Sequence, residues 1–451
     1  ARFDTLSIKL GTHMPQPSPR PKLTLASALA LAAALAVGCV SVSPEDQRPL
    51  IVSRPAPTPE PSTTPTLPPT PTPAEPTPTP AVVVTPTPAR SAGGVALDQL
   101  WTWGEVARPT ALADGTSRLA VVMADGRFAW LNAETGEVES NALLWLGLPG
   151  RETWGEVFTD GTLAAAVYYE SGVDPDSGVP EARSRVTVLD SVANEQWSLP
   201  TLDEGRFYTA ALSPVSVIVG TWSSPPDDLD TLGAYEIFSG SSLWDVSGEP
   251  GGYRQVAHDG TRLYALLNPA IGAAAASYDL RTGDELWRWA DEEIGRAGRL
   301  LVGETGIFVL ADDRVVALDP ASGDRLWSTP FQADLDAGMS ARAGHLYLIP
   351  APSAESGFRP GVVSLDAGSG TLAWNALNGL RADALAVGDQ ALWVVVKDYD
   401  AGRVYLSGLN PDDGLEQRRI EVGADTQVPY RLLAQGGRVY VLGERLIAFG
   451  G

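Results

Sequence analysis

Polar and apolar positions recur along this chain in one fixed layout. Residues 313–327 read DRVVALDPASGDRLW: an apolar run ending at Asp319, a polar turn with Gly323, then a second run carrying Trp327. GAYEIFSGSSLW, AASYDLRTGDELW and GVVSLDAGSGTLAW repeat it, ending at Trp244, Trp287 and Trp374, and RVTVLDSVANEQW ending at Trp197 is a degenerate copy. In the four regular copies Gly240, Gly283, Gly323 and Gly370 stand four residues before the tryptophan, and Glu236, Asp279, Asp319 and Asp366 stand eight before it. A unit of this length, restated at intervals, decides the fold before any single residue does.

Each part has a physical reading. Val315, Val316, Ala317 and Leu318 suit a strand. Asp319 can accept backbone N–H groups two residues on and tighten the turn. Gly323 supplies the positive φ that a bulged hairpin needs. Trp327 then returns on the next strand, where a large flat ring can cover the gap to a neighbouring unit. Repeated residues in arrays are packing first, so the Asp–Gly–Trp sets are read as structure and not as ligand sites.

Turns of this kind fall at Gly136, Ala193, Gly240, Gly283, Gly323, Gly370 and Gly414, the last followed by Arg418 in place of tryptophan. Their spacing matches four-stranded propeller blades. An eighth unit, VPYRLLAQGGRVYVLGERLIAFGG, holds three strands only. The strand it lacks should read like the DQLWTWG of residues 98–104, so the N-terminal strand is expected to close the ring against the C-terminal blade. Closure removes the open edges that an array would otherwise expose. The expected fold is all-β: an eight-bladed β-propeller of four-stranded antiparallel blades over residues 95–451.

VVALDPASGDRLW and SYDLRTGDELW are similar to the pyrroloquinoline-quinone-type propeller repeat. That family includes quinoprotein alcohol dehydrogenases and the propeller lipoprotein of the outer-membrane β-barrel assembly machinery. The resemblance covers residues 95–451 and speaks to fold more than to function. Its enzymes carry a vicinal cysteine pair against the quinone, and a Ca²⁺ shell of Glu, Asn and Asp with a catalytic Asp. Cys39 is the only cysteine here, and no matching metal–base set is evident. No catalytic residue, cofactor or metal is therefore expected. An enzyme using the acidic loops is the alternative.

The first ninety or so residues follow another pattern. Met14 is a possible start; Arg20 and Lys22 precede the apolar run of residues 23–37, the layout of a secretory signal. The run ends in LAVGCV, which resembles a bacterial lipobox with Cys39 as the lipidated residue; Ala36 stands where that motif prefers Leu, and Leu35 is one further back. An uncleaved anchor helix is the competing reading, since residues 23–40 are just long enough to span. Residues 1–38 are thus read as leader and 39–94 as a Pro/Thr-rich linker. Repeated Thr-Pro over residues 55–90 favours polyproline II, a semi-rigid spacer reaching roughly 100 Å. Both readings place the propeller outside the cytoplasm, tethered to a bacterial membrane.

Formal charge is −23, which argues against nucleic acid and anionic lipid headgroups as partners of the folded part. Three lysines, Lys9, Lys22 and Lys397, stand against 29 arginines. His258 and His345 are isolated. Acidic clusters occur at Asp174, Asp176 and Glu181, at Asp227, Asp228 and Asp230, and at Asp291, Glu292 and Glu293; closely spaced carboxylates can hold Ca²⁺, yet none matches an EF-hand loop. The long insertions, residues 170–184, 223–231, 268–273 and 350–360, all fall between second and third strands of their units. They emerge on one face, and irregular loops on a rigid scaffold are where binding concentrates. Exposed candidates there are Tyr169, Trp222, Phe358, Arg359 and Tyr399. The expected function is an extracytoplasmic scaffold or sensor domain with a protein partner, with a surface carbohydrate binder as a further alternative.

Overall fold

Two kinds of strand follow from the apolar pattern. A strand buried on both faces is a continuous apolar run, whereas one with a solvent face alternates. The computed structural model of the protein describes residues 97–450, apart from 105–108, 115–116, 146–151, 174–179, 203–205, 224–228, 270, 333, 336–337 and 352–360. The leader, the linker and Cys39 lie outside the described residues, as do Phe358 and Arg359.

Thirty-two strands form eight antiparallel sheets of four among the described residues. The first strand, β1 (Asp98–Trp103), takes no part in blade 1. Blade 1 is β2 (Pro109–Asp114), β3 (Arg118–Met123), β4 (Arg127–Asn132) and β5 (Val138–Leu143). Blade 2 is β6 (Glu152–Thr159), β7 (Ala164–Val173), β8 (Pro180–Leu189) and β9 (Glu195–Ser198). Blade 3 holds β10 (Arg206–Leu212), β11 (Ser216–Ser223), β12 (Leu229–Glu236) and β13 (Ser242–Pro250). Blade 4 holds β14 (Tyr253–His258), β15 (Arg262–Leu267), β16 (Ala273–Asp279) and β17 (Glu285–Asp291). In blade 5 come β18 (Ala297–Val302), β19 (Ile307–Ala311), β20 (Arg314–Leu318) and β21 (Arg325–Pro330). Blade 6 has β22 (Met339–Arg342), β23 (His345–Leu348), β24 (Val362–Asp366) and β25 (Leu372–Ala376). Blade 7 has β26 (Arg381–Val387), β27 (Leu392–Asp398), β28 (Arg403–Leu409) and β29 (Glu416–Gly423). Blade 8 has β30 (Arg431–Gln435), β31 (Arg438–Leu442) and β32 (Leu446–Gly450), and β1 is its outer strand.

Ring closure is as the repeat demands. Asp98 pairs with Gly450, Trp101 with Ala448 and Trp103 with Leu446. First strands of successive blades contact one another around the axis, and β30 meets β2. The middle strands β15 and β16 are buried almost throughout, while outer β17 alternates with Trp287 turned inward. Val315–Leu318 of β20, which alternation would have left half-buried, are buried throughout; alternation belongs to the outer strands, and the continuous runs are the blade centres.

The turns use the expected chemistry. Oδ1 of Asp319 accepts the N–H groups of Ala321 at 2.7 Å and Ser322 at 2.9 Å, and Gly323 has φ 75°. In all seven hairpins of this type the ladder slips by one residue beside the turn, the bulge that a glycine at positive φ produces.

The tryptophans are pegs between blades. The indole of Trp287 covers Gly323 of the next blade, and its Nε1 donates to the Pro320 carbonyl at 3.0 Å. Trp197, Trp244, Trp327 and Trp374 repeat this on Ile237, Leu280, Ala367 and Pro411, at 2.9 to 3.1 Å. Trp101 does the same for the closing joint, donating to Ala133 at 3.3 Å. Between blades 1 and 2 the peg is Trp130 from β4, a third strand, donating to Asp190 at 2.9 Å. Two departures coincide there: the outer strand has Ser140 where others have tryptophan, and the receiving turn has Ala193, at φ 62°, where others have glycine. A methyl group at that turn position would sit 2.5–2.7 Å from the indole at the glycine joints, so an alanine there excludes an outer-strand tryptophan.

The joint between blades 7 and 8 has no indole bonded to a turn of the next blade. Blade 8 has no turn joining β32 to β1, hence no carbonyl to receive one, and Arg418 occupies the tryptophan position. A cavity of about 390 Å³ remains, lined by Leu97, Trp393, Gly408 and Arg418 among others. This joint is held by an apolar cluster that takes in Trp393, Tyr430, Val439 and Phe449, and by charge. Buried Lys397 on β27 donates to Asp383 Oδ1 at 2.8 Å, and Asp383 Oδ2 accepts the Tyr430 N–H at 2.7 Å. The ammonium also lies 5.5 Å from the Tyr430 ring centre.

A candidate binding site at the axial mouth

First strands line the axis, so their leading residues surround its mouth on the face where second and third strands are joined. Trp154 on β6, Phe207 on β10, Arg254 on β14, Arg299 on β18 and Arg431 on β30 are such positions, and they border a cavity of about 650 Å³. The ends of β7 and β11 bring Tyr169 and Trp222 to it.

Four rings form a continuous row. Trp154 and Tyr169 stack with centroids 5.6 Å apart, Tyr169 and Phe207 lie 6.2 Å apart, and Phe207 and Trp222 stack at 4.5 Å. The Arg254 guanidinium caps the row, 5.9 Å from the Trp222 ring centre. Local backbone sets both ends. A bulge between Tyr253 and Gln255 leaves Arg254 as the extra residue of β14, and bulges re-aim side chains. Gly252, at φ 73°, bridges to Trp222; a Cβ there would lie 2.2 Å from the Thr221 carbonyl oxygen. Only glycine allows the chain to pass so close behind the indole.

The described lining of the cavity is rich in arginine. Three arginines border the cavity against one carboxylate, Glu156. Arg299 donates Nε to the Leu335 carbonyl at 3.0 Å. Glu156 borders the cavity but is half-buried, and the surrounding protein leaves its carboxyl poorly solvated. Desolvation pushes the Glu156 carboxyl above the usual range, against the pull of Arg431 and Arg299.

The structure brings two of the expected site residues together and corrects one of them. Trp222 is half-buried at the mouth. Tyr169, expected to be exposed, is 7% exposed. Residues 170–184 are not simply a loop: β7 and β8 stay paired out to Val173 and Pro180, which carries Tyr169 inside the ladder. Its ring sits between Trp154 and Phe207, and its hydroxyl donates to the Tyr208 carbonyl at 2.6 Å. Tyr399 is half-buried at the β27–β28 turn, accepting a 3.4 Å bond from Arg381, and does not border this cavity. Trp154, Phe207, Arg254, Arg299, Arg431 and Glu156 escaped the sequence reading. Each is one residue from a different blade or from an unremarked place in β6; aligning the starts of the first strands is the signal that would have gathered them.

The other candidate chemistry resolves into structure. His258 Nε2 contacts the Leu212 carbonyl at 2.8 Å while its Nδ1 accepts the Gly260 N–H, and His345 Nδ1 meets Ser364 Oγ at 3.0 Å. Asp230 is buried and accepts from Thr221 at 2.8 Å; Asp174, Asp176, Asp227 and Asp228 lie outside the described residues. Asp291 accepts the Glu293 N–H and pairs with Arg325. Among the described residues no three His, Cys, Asp or Glu side chains gather to hold a metal ion.

The family model described as outer membrane protein assembly factor BamB matches residues 271–450. Among solved structures, the computationally designed Ika8 protein aligns with a TM-score of 0.56 at 15% identity, over 78% of this chain and 99% of its own. BamB from Moraxella catarrhalis aligns with a TM-score of 0.53 at 16% identity, over 79% of this chain and 100% of its own. No curated protein matches the sequence significantly. The chain is an eight-bladed β-propeller, similar over residues 271–450 to the pyrroloquinoline-quinone-type repeats of the BamB family.

Proposed function

We propose that this protein is a non-catalytic interaction scaffold, held outside the cytoplasm at a bacterial membrane by a lipid on Cys39. The proline-rich segment acts as its spacer, and the mouth of the axis takes a protein partner. The observation that carries this reading is the contrast between the two ends of the blades. One end repeats the same turn; the other gathers four aromatic rings and three arginines into a recess. Aromatic and arginine side chains are those enriched where protein interfaces are strongest. Similarity to an outer-membrane assembly factor supports work among other proteins rather than chemistry. LAVGC supports the anchor, whose diacyl form supplies the two chains that stable attachment needs.

Cross-linking on native membranes, followed by purification of the tagged protein, tests the scaffold role. Wild type should capture one or a few proteins reproducibly, and Trp222→Ala should lose them. Capture that is empty in wild type, or unchanged in the variant, would overturn the reading. Cys39→Ser tests the anchor separately: the protein should become soluble or stay unprocessed, and a processed, membrane-bound variant would refute lipidation.

A further inference from the structure

We propose that the axial mouth binds a single carboxylate presented by an extended peptide segment of the protein partner, gripped by Arg254, Arg299 and Arg431. This rests on the scaffold reading above and specifies what that site recognises.

Charge is the first argument. The chain carries −23 overall, yet among the described residues three guanidinium groups and one carboxylate line the mouth. Arg431 leads β30 and is exposed, with no hydrogen bond or ion pair among the described residues. A guanidinium left open at a recess is suited to a bidentate carboxylate contact, which is directional and short-ranged. Glu156 is the one carboxylate among the described lining residues and faces three guanidinium groups.

Size and surface chemistry narrow the ligand. About 650 Å³ is the range of small-ligand pockets; it admits a few residues of extended chain and not a folded surface. A polyanion such as nucleic acid would gain these arginines and meet the acidic remainder of the molecule. A compact anion on a slender chain satisfies both constraints. Trp222 and Arg254 would form the fixed side of the grip, since the Gly252 bridge and the β14 bulge position them, and Arg431 the accessible side.

Intrinsic tryptophan fluorescence of the purified full-length chain reads this directly, through Trp154 and Trp222. The probes are three Gly/Ser hexapeptides: one end-capped with a central Glu, its Gln counterpart, and one with a free C-terminal carboxylate and no Glu. The Glu peptide should bind about tenfold more tightly than the Gln peptide, the scale of one charged hydrogen bond. Arg431→Gln should abolish that difference while leaving thermal unfolding unchanged. Preference for the third probe over the first assigns the carboxylate to a chain terminus instead of a side chain. Equal binding of Glu and Gln peptides, an unaltered preference in Arg431→Gln, or no response from either carboxylate peptide up to about 1 mM would overturn the proposal. Partner capture on membranes that survives Arg431→Gln would remove this inference and leave the scaffold standing. Empty capture with a Glu-selective titration would do the reverse.

Discussion

Trp287 and Gly323 touch across the joint between blades 4 and 5, and replacing them singly and together tests how the blades are held. Trp287 is 7% exposed, donates to Pro320 at 3.0 Å and lies 6.1 Å from the Tyr264 ring. Truncation to alanine removes that bond, about 1 kcal/mol, the ring pair, about 0.5–1.5 kcal/mol, and most of the burial. The whole should cost about 3–5 kcal/mol. Gly323→Ala alone carries two penalties. Its φ of 75° costs an L-residue about 1–2 kcal/mol. The added Cβ would lie 2.6 Å from Trp287 Cε3, an overpacking worth about 1–3 kcal/mol. With Trp287 already cut to alanine the second penalty disappears. The double variant should therefore be more stable than the sum of the singles predicts, by about 1–3 kcal/mol. Urea unfolding followed by near-ultraviolet circular dichroism measures the global effect, and hydrogen exchange in β20 and β21 locates it, since a ring of blades need not unfold in one step. Strict additivity, or a loss below about 1 kcal/mol for Trp287→Ala, would refute the peg account. Ala193 is the natural counterpart: an alanine is tolerated at that turn where no outer-strand tryptophan bears on it.

Deleting residues 1–96 should leave a folded protein, whereas deleting 1–104 removes β1 and with it Trp101 and the partner of Leu446–Gly450; the second truncation should aggregate on size exclusion, and identical melting of the two would refute closure by β1. Acid should unfold the protein between about pH 4 and pH 2. Desolvation raises the Asp259 carboxyl, but bonds from Arg262, Thr261 and Tyr264 outweigh it and bring it to about 2; N–H groups likewise lower Asp279 and Asp319. A carboxyl lowered in the fold contributes its full stability above its unfolded value, near 4, and loses it as pH falls through the folded one. Asp259→Asn should flatten the acid limb of a melting-temperature profile; an unchanged limb would remove Asp259 from the account.

Fold and site differ in how far the sequence reveals them. The blades were legible because every one states the same solution at the same turn: acceptor, positive-φ glycine, returning indole. Even the closing strand could be placed, since LWTW carries the outer-strand pattern that blade 8 lacks. The mouth was not legible, because the axis collects single residues from strands some fifty positions apart, and no local window contains two blades' worth of Arg254, Arg299 and Arg431. Tyr169 was misjudged for a related reason. The polar segment after it resembles a loop, and only the ladder partner across the hairpin shows that β7 continues.

A ring with identical joints would open nowhere in particular; this ring resembles a split washer. Seven joints are locked by an indole seated in the next blade, and the eighth rests on Lys397, Asp383 and Tyr430 and on an apolar cluster around Trp393, beside an open cavity. Thermal opening should start at that split, because no indole there is bonded to a turn of the neighbouring blade and a cavity interrupts the apolar packing of blades 7 and 8. Blade-resolved hydrogen exchange would show β29 and β30 losing protection first, and uniform protection around the ring would show the charged joint to be as firm as the others. β30 begins with Arg431, so any widening of the split swings one jaw of the axial mouth relative to Arg254 and Arg299. The gape of that mouth is thereby set at a joint where no indole is bonded to a turn of the next blade.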